Sequence, residues 1–170
     1  PLAMIHACKK SDLKAILAVI NAAAESYRAF IPANQWKEPY MHEQELVREI
    51  AAGIKFSGFE QEGVLKGIMG VQKIQDVTLI RHAYVDPSIQ RCGIGSALLS
   101  HCRTSINGSI LIGTWADATW AISFYEKHGF CKTSQSNTVR LLHNYWTVPE
   151  TQIEASVVMA NSEWFEINKL

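Results

Sequence analysis

A glycine-bearing turn, Gln90-Arg91-Cys92-Gly93-Ile94-Gly95-Ser96, joins two apolar runs of different character. Val77-Thr78-Leu79-Ile80-Arg81-His82-Ala83-Tyr84-Val85 before it reads as a strand, and Ala97-Leu98-Leu99-Ser100-His101-Cys102 after it reads as a helix. Such a turn leaves backbone N–H groups without intrahelical acceptors at the positive end of the helix dipole. The chemistry on offer is anion binding, phosphate above all. Cys92 lies inside the turn. A helix N-terminus makes a thiol more reactive, although an incidental small residue fits there too. A dinucleotide is one candidate ligand, with Asp117 near the distance of a ribose-binding acid. Against it, Leu98 stands in place of that fingerprint's third glycine. Gly93 also lies eight positions after Val85, too far for its tight turn.

The neighbouring residues narrow the ligand. Tyr84-Val85-Asp86-Pro87 ends the strand, and Gln90, Gly93 and Gly95 follow. About thirty residues later comes Ala121-Ile122-Ser123-Phe124-Tyr125-Glu126-Lys127-His128-Gly129-Phe130. This pair of motifs, over roughly residues 76 to 131, resembles the GNAT superfamily of N-acetyltransferases. The resemblance implies an enzyme that uses acetyl-CoA and releases coenzyme A. It would move an acetyl group to a primary amine by direct attack in a ternary complex. Backbone amides from Arg91 to Ser96, including Cys92, Gly93, Ile94 and Gly95, would hold the pyrophosphate, with Gln90 and Arg91 flanking it. Asp117, Ala118, Phe124 and Tyr125 would run along the pantetheine arm. Main-chain N–H groups at Tyr84 and Val85 would steady the oxyanion.

In the family the tyrosine of the second motif points at the cofactor sulfur, so Tyr125 is the implied acid. A phenol of pKa ~10 protonates a thiolate whose acid has pKa ~8.5 only modestly uphill. The same tyrosine also reads as a core residue, since Ala121, Phe124 and His128 share its helical face. Two departures from the family pattern stand out. Leu79 occupies the strand position, six residues before Val85, where many members carry a glutamate. Ala118 and Trp120 stand where an asparagine often precedes Ala-Ile. The base is therefore open: His82 has a suitable intrinsic pKa, while a water chain, Glu25 or Glu43 serves as well. The acceptor lining implied by the family falls on Phe30, Trp36, Tyr40, Tyr145 and Trp146, which suit an apolar or aromatic amine; ordinary packing explains the same residues. A catalytically weak coenzyme A-binding or sensing module is the alternative from another functional class.

These residues need elements to position them. Ala3 to Lys9 reads as a strand. Ser11 is a plausible cap for a helix with Leu13, Ile16, Leu17, Ile20 and Ala24 at helical spacing. Pro32 and Pro39 break the stretch from Phe30 to Tyr40 into a loop. A second helix spans Met41 to Ala52, capped by Gly53. Ile54 to Glu60 and Val64 to Ile74 form a hairpin about Gln61-Glu62-Gly63. The strand from Asp76 looks buried on both faces, and the helix after the glycine turn ends near Asn107-Gly108. Ser109 to Trp115 is a strand and Thr119 to His128 a helix. Phe130 to Thr133, Thr138 to Leu142 and Ile153 to Ala160 read as further strands. The expected architecture is mixed α/β. It has a GNAT-like central, mostly antiparallel sheet of six to seven strands flanked by about four helices, in a single domain over residues 4–165.

Composition bounds the function. Sixteen basic residues balance sixteen acidic ones, which disfavours nucleic acid as a partner. No apolar run reaches the ~18 residues of a membrane span. The four cysteines, at positions 8, 92, 102 and 131, lack C-x-x-C spacing, so no metal site is expected. No secretory signal opens the chain, and a cytoplasmic monomer or homodimer acting on a small-molecule or peptide amine is expected. Pro1-Leu2-Ala3 reads as foreign to the natural chain, with Met4 as its start.

Overall fold

The computed structural model describes residues 3–169. Pro1 and Leu2, read as foreign sequence, lie outside them. The elements run β1 (Ala3–Ala7), α1 (Leu13–Ala24), α2 (Glu43–Ala51), β2 (Lys55–Gln61), β3 (Val64–Ile74) and β4 (Val77–Val85). Then come α3 (Ile94–Arg103), β5 (Ser109–Trp115), α4 (Thr119–Lys127), β6 (Cys131–Lys132), α5 (Gln135–Tyr145), α6 (Glu150–Glu154), β7 (Ser156–Ala160) and α7 (Ser162–Ile167). The strands order β1-β2-β3-β4-β5-β7-β6 in one mostly antiparallel sheet. Seven helices accompany it among the described residues, against the four expected; no helix there is long and apolar enough to cross a membrane.

The chain divides into two compact units. The first holds residues 3–28, 37–73 and 80–107. Its core joins Ile16, Val19 and Ile20 of α1 to Met41, Leu46, Ile54, Phe56 and Ile68. The 3.6-residue spacing of the apolar positions puts them on one face of α1. Ser11 does not cap that helix. It lies in a 3₁₀ turn, Lys10–Asp12, where the Asp12 carboxylate accepts the Lys9 N–H at 2.7 Å. The β2–β3 hairpin turns through Glu62 (φ 53°) and Gly63 (φ 77°), a left-handed pair whose twist matches the strands. Gly67 lets α3 dock on β3, since a Cβ there would meet Ile94 at 2.8 Å and Leu98 at 3.1 Å.

β4 is buried only over Val77–Ile80; from Arg81 onward it is half-buried. The expectation of burial on both faces holds for that first half alone. Just past that change His82 adopts φ 56°, a left-handed conformation inside a strand that costs of order 1–2 kcal/mol.

The second unit holds residues 29–36, 74–79 and 108–169. Leu111, Leu141, Leu142, Ile153, Val158 and Trp164 make its core with Val77 and Leu79. Here the sequence reading needs correction: Thr138 to Leu142 is not a strand but the middle of α5. Ser134 caps that helix, accepting the Asn137 N–H at 3.1 Å. Thr138, Leu141, Leu142 and Tyr145 then recur at helical spacing, a period the short β-branched run concealed. Similarly, Ile153 belongs to α6 and only Ser156–Ala160 is strand. Buried Asn161 joins α7 to β5. Its Oδ1 accepts the Ile110 and Trp164 N–H groups at 2.9 and 3.3 Å, and its Nδ2 donates to the Gly108 carbonyl at 2.9 Å.

Candidate active site

In the first unit, β4 runs out at Val85. Asp86 then caps the turn Pro87–Ile89 by accepting from Ser88 N–H at 2.9 Å and Ser88 hydroxyl at 2.7 Å. Those two hydrogen bonds hold the Asp86 carboxyl below the ordinary aspartate range. The chain enters α3 through Arg91 (φ 69°) and Gly93 (φ 78°), both left-handed. Gln90, Arg91, Cys92 and Gly93 are exposed. The Ala97 N–H donates to the Gly93 carbonyl at 3.0 Å, which starts the hydrogen-bond ladder of α3. The glycine turn thus folds as a helix start between β4 and α3.

On the same unit a charged cluster surrounds the irregularity in β4. His82 Nε2 lies 2.6 Å from Glu49 Oε2, and Arg81 Nη2 donates to Glu49 Oε1 at 2.9 Å. Arg81 Nη1 donates to Gln72 Oε1 at 3.1 Å, and Gln72 Nε2 donates to the Ala52 carbonyl at 3.1 Å. Consecutive strand residues normally point to opposite faces. Arg81 and His82 reach one carboxylate because the left-handed His82 backbone breaks that alternation. Burial raises the Glu49 carboxyl, but the His82 hydrogen bond and the charges of His82, Arg81 and Lys37 outweigh it and hold it below the ordinary glutamate range. Glu49 is therefore ionised at neutral pH. The His82 ring stacks on Phe56 at 6.1 Å and tilts against Tyr84 at 6.3 Å, which meets Tyr27 edge-on at 5.9 Å.

Glu49 is the functional candidate that sequence reasoning missed. The signal was present: Glu49 lies one turn after buried Leu46 on α2, so a carboxylate sits beside a core position and needs a buried cation. Of the carboxylates expected as a base, Glu25 pairs with Arg28 at 3.5 Å and Glu43 with Lys14 at 3.3 Å. Leu79 is fully buried in core.

In the second unit, Tyr125 lies near the end of α4, 6% exposed, with Phe124 at 5.1 Å and Phe130 at 6.0 Å between ring centroids. Phe124 also meets His128 at 4.8 Å. Ala118 caps α4 without a side-chain bond and is fully buried, while Asp117 is exposed. Phe30 packs edge-on against Trp120 at 4.7 Å. Trp146 covers Gly113, where a Cβ would meet its ring at 3.3 Å. The Tyr145 hydroxyl donates to Asp76 Oδ1 at 2.7 Å; burial, together with that bond and the Asp76 charge, raises its pKa to about 12. Tyr40 packs instead against the core of the first unit.

All four cysteines are free thiols. Burial, with Asp12 and Glu60 nearby, pushes Cys8 up to about 12, and burial raises Cys102; Cys92 and Cys131 are exposed. Alkylation at pH 8 followed by peptide mass spectrometry is expected to label Cys92 and Cys131 well before Cys8 and Cys102. The reverse order would contradict this assignment. His6, Cys8 and Asp12 each bring one potential metal-ligand atom within 4.8 Å of the others. No cysteine spacing signals that grouping. His6 Nδ1 already lies 3.0 Å from the Ala7 carbonyl, and Asp12 caps Lys9.

Residues 53–132, which contain α3 and its turn, match the acetyltransferase (GNAT) domain model. The PaiA N-acetyltransferase of Thermoplasma acidophilum, solved with coenzyme A, superposes with a TM-score of 0.72 at 18% identity, covering 95% of this chain and 99% of that one. The ribosomal-protein-S18-alanine N-acetyltransferase of Escherichia coli gives 0.67 at 19% identity, covering 94% and 93%. At these identities the structures show a shared fold. A curated relative, the UPF0157 protein YqkA of Bacillus subtilis, is 29% identical over 128 residues, or 72% of this chain; the chain spans 37% of that relative's length. Residues 53–132 match the acetyltransferase (GNAT) domain model, and the chain shares the fold of these N-acetyltransferase structures.

Proposed function

We propose that the chain is an acetyl-CoA-dependent N-acetyltransferase that moves an acetyl group to a primary amine by direct attack in a ternary complex. The observation that carries this reading is the turn through Arg91 and Gly93, left-handed at both residues, which opens α3 within the family segment. A Cβ on Gly93 would meet nothing within 4 Å, so the protein leaves space at that residue open to an anion. Backbone donors at a helix start suit a pyrophosphate. The bound donor would supply a thioester carbonyl for attack.

In this reading the amides of Arg91 to Ser96 hold the pyrophosphate, and Asp117, Ala118 and Phe124 meet the pantetheine arm. Main-chain N–H groups at Tyr84 and Val85 steady the developing oxyanion. Tyr125 gives its proton to the leaving thiolate, and His82 takes one from the amine. Of the aromatic residues proposed for the acceptor, namely Phe30, Trp36, Tyr40, Tyr145 and Trp146, Phe30 is the most exposed at 38%. The acceptor is a small-molecule or peptide amine. A coenzyme A-binding module of weak turnover is the second reading; fully buried Leu79, where a carboxylate would otherwise stand, favours it.

Isothermal titration with acetyl-CoA and, separately, NADH tests the cofactor. Micromolar binding of the thioester alone is expected, and binding of neither, or of NADH instead, would overturn the reading. Thiol release with an amine library then separates an enzyme from a weak binding module.

A further inference from the structure

We infer that Glu49 is a positioning residue, fixing the tautomer in which His82 presents an unprotonated Nδ1 to the acceptor amine. The inference rests on the transferase reading and deepens it. It starts from donor and acceptor capacity. An ionised carboxylate only accepts and a guanidinium only donates. Glu49 Oε1 is taken by Arg81 at 2.9 Å, and Glu49 Oε2 faces His82 Nε2 at 2.6 Å. Nε2 must therefore carry the hydrogen, and in the neutral ring the lone pair falls on Nδ1.

Nδ1 is the accessible nitrogen. The only hydrogen bond of the His82 ring among the described residues is made by Nε2. No buried side-chain nitrogen or oxygen there lacks a partner, so an unbonded Nδ1 keeps some contact with solvent although the side chain is only 12% exposed. The cluster is also held from behind. Ala52 carbonyl, Gln72, Arg81 and Glu49 form one chain of hydrogen bonds, and Phe56 and Tyr84 contact the ring. The charged groups against His82 are Glu49 from α2 and Arg81 from its own strand, with Lys37 acting on Glu49. A buried ion cluster that serves only stability is often replaceable by apolar residues at no loss. This one instead holds a left-handed histidine inside a strand, with two consecutive residues on one carboxylate. Strain retained in this way marks sites with a task.

The amine nitrogen bonds to the thioester carbonyl carbon, and its N–H proton passes to His82 Nδ1. The resulting imidazolium is held by Glu49 through Nε2–H. The C–S bond breaks, the sulfur keeps the electron pair and takes the Tyr125 proton. His82 then returns its proton to solvent and Tyr125 regains one, leaving no net change in the protein.

Glu49→Gln gives a sharp test, because the amide has one acceptor and one donor end. Arg81 can only donate, so it claims the amide oxygen and turns the NH₂ toward His82 Nε2. Nε2 must then accept, and the proton moves to Nδ1. Long-range ¹H–¹⁵N spectra, assigned with His82→Gln, are expected to show protonated Nε2 in the neutral wild-type ring and protonated Nδ1 in Glu49→Gln. Thiol release with tyramine, spermidine and an alanine-initiated peptide is expected to show kcat down about a hundredfold in Glu49→Gln with KM within about twofold. The double variant with His82→Gln is expected to be no slower than either single one.

A wild-type ring protonated at Nδ1, a tautomer unchanged by Glu49→Gln, or kcat within about threefold of wild type would each overturn the assignment. So would a wild-type protein that binds acetyl-CoA yet acetylates none of the three amines. Absence of acetyl-CoA binding to wild type in calorimetry would instead overturn the transferase reading, and this role with it.

Discussion

Tyr125→Phe is expected to lower turnover about a hundredfold or more, while acetyl-CoA affinity stays within about twofold of wild type. The substitution isolates one group. Tyr125 is 6% exposed, and its ring packs against Phe124 and Phe130; phenylalanine keeps every one of those aromatic contacts and removes only the hydroxyl. A loss of rate then cannot come from a collapsed α4, and an unchanged melting temperature would show that directly. The split between rate and affinity follows from when the hydroxyl acts. A proton given to the departing sulfur is needed only as the C–S bond breaks, so the interaction exists in the transition state and not in the bound ground state. The pyrophosphate grip assigned to the amides from Arg91 to Ser96 does not depend on it. Steady-state thiol release with calorimetry on both proteins decides the matter. Unchanged turnover would remove Tyr125 from the mechanism and leave it a core residue of α4.

The elements that the sequence exposes most plainly are those with one strong period or one unambiguous stop signal. β5 spans Ser109–Trp115 as expected, and α4 ends before Gly129, whose φ of 88° suits only glycine. The glycine turn was legible for the same reason: its chemistry resides in backbone N–H groups, which a strand–glycine–helix pattern places without any knowledge of long-range contacts. α5 was not legible. Thr138-Val139-Arg140-Leu141-Leu142 has the composition of a strand, and only the Ser134 cap and the burial of Thr138, Leu141 and Leu142 on one face make it helical. The Glu49 cluster failed for a different cause. Glu49 and His82 are thirty-three residues apart, and their meeting depends on a left-handed histidine that no propensity favours. Local pattern identifies a strand–glycine–helix turn; it does not reveal a charge network assembled between α2, β3 and β4.

That left-handed histidine requires room beside it, and Gly70→Ala is expected to remove the room. A Cβ at Gly70 would lie 2.8 Å from the Arg81 carbonyl oxygen, 2.9 Å from Ile54 Cγ2 and 3.1 Å from Phe56 Cε1. The closest of these atoms is backbone, so no rotamer change relieves it, and the other two belong to the packed core of the first unit. Overpacking of this kind costs typically 1–3 kcal/mol. In a chain of this size each kcal/mol lowers the melting temperature by about 2–4 °C, so a fall of about 2–12 °C is expected by calorimetry or circular dichroism. The strained contact also falls on the peptide that precedes His82, hence on the element that carries Arg81 and His82 to Glu49. Turnover should therefore decline more steeply than stability, measured at a temperature where the variant remains folded, while acetyl-CoA binding at the α3 turn persists. A melting temperature equal to wild type would mean that β3 and β4 can separate freely at Gly70. The left-handed backbone at His82 would then owe nothing to the missing side chain at Gly70.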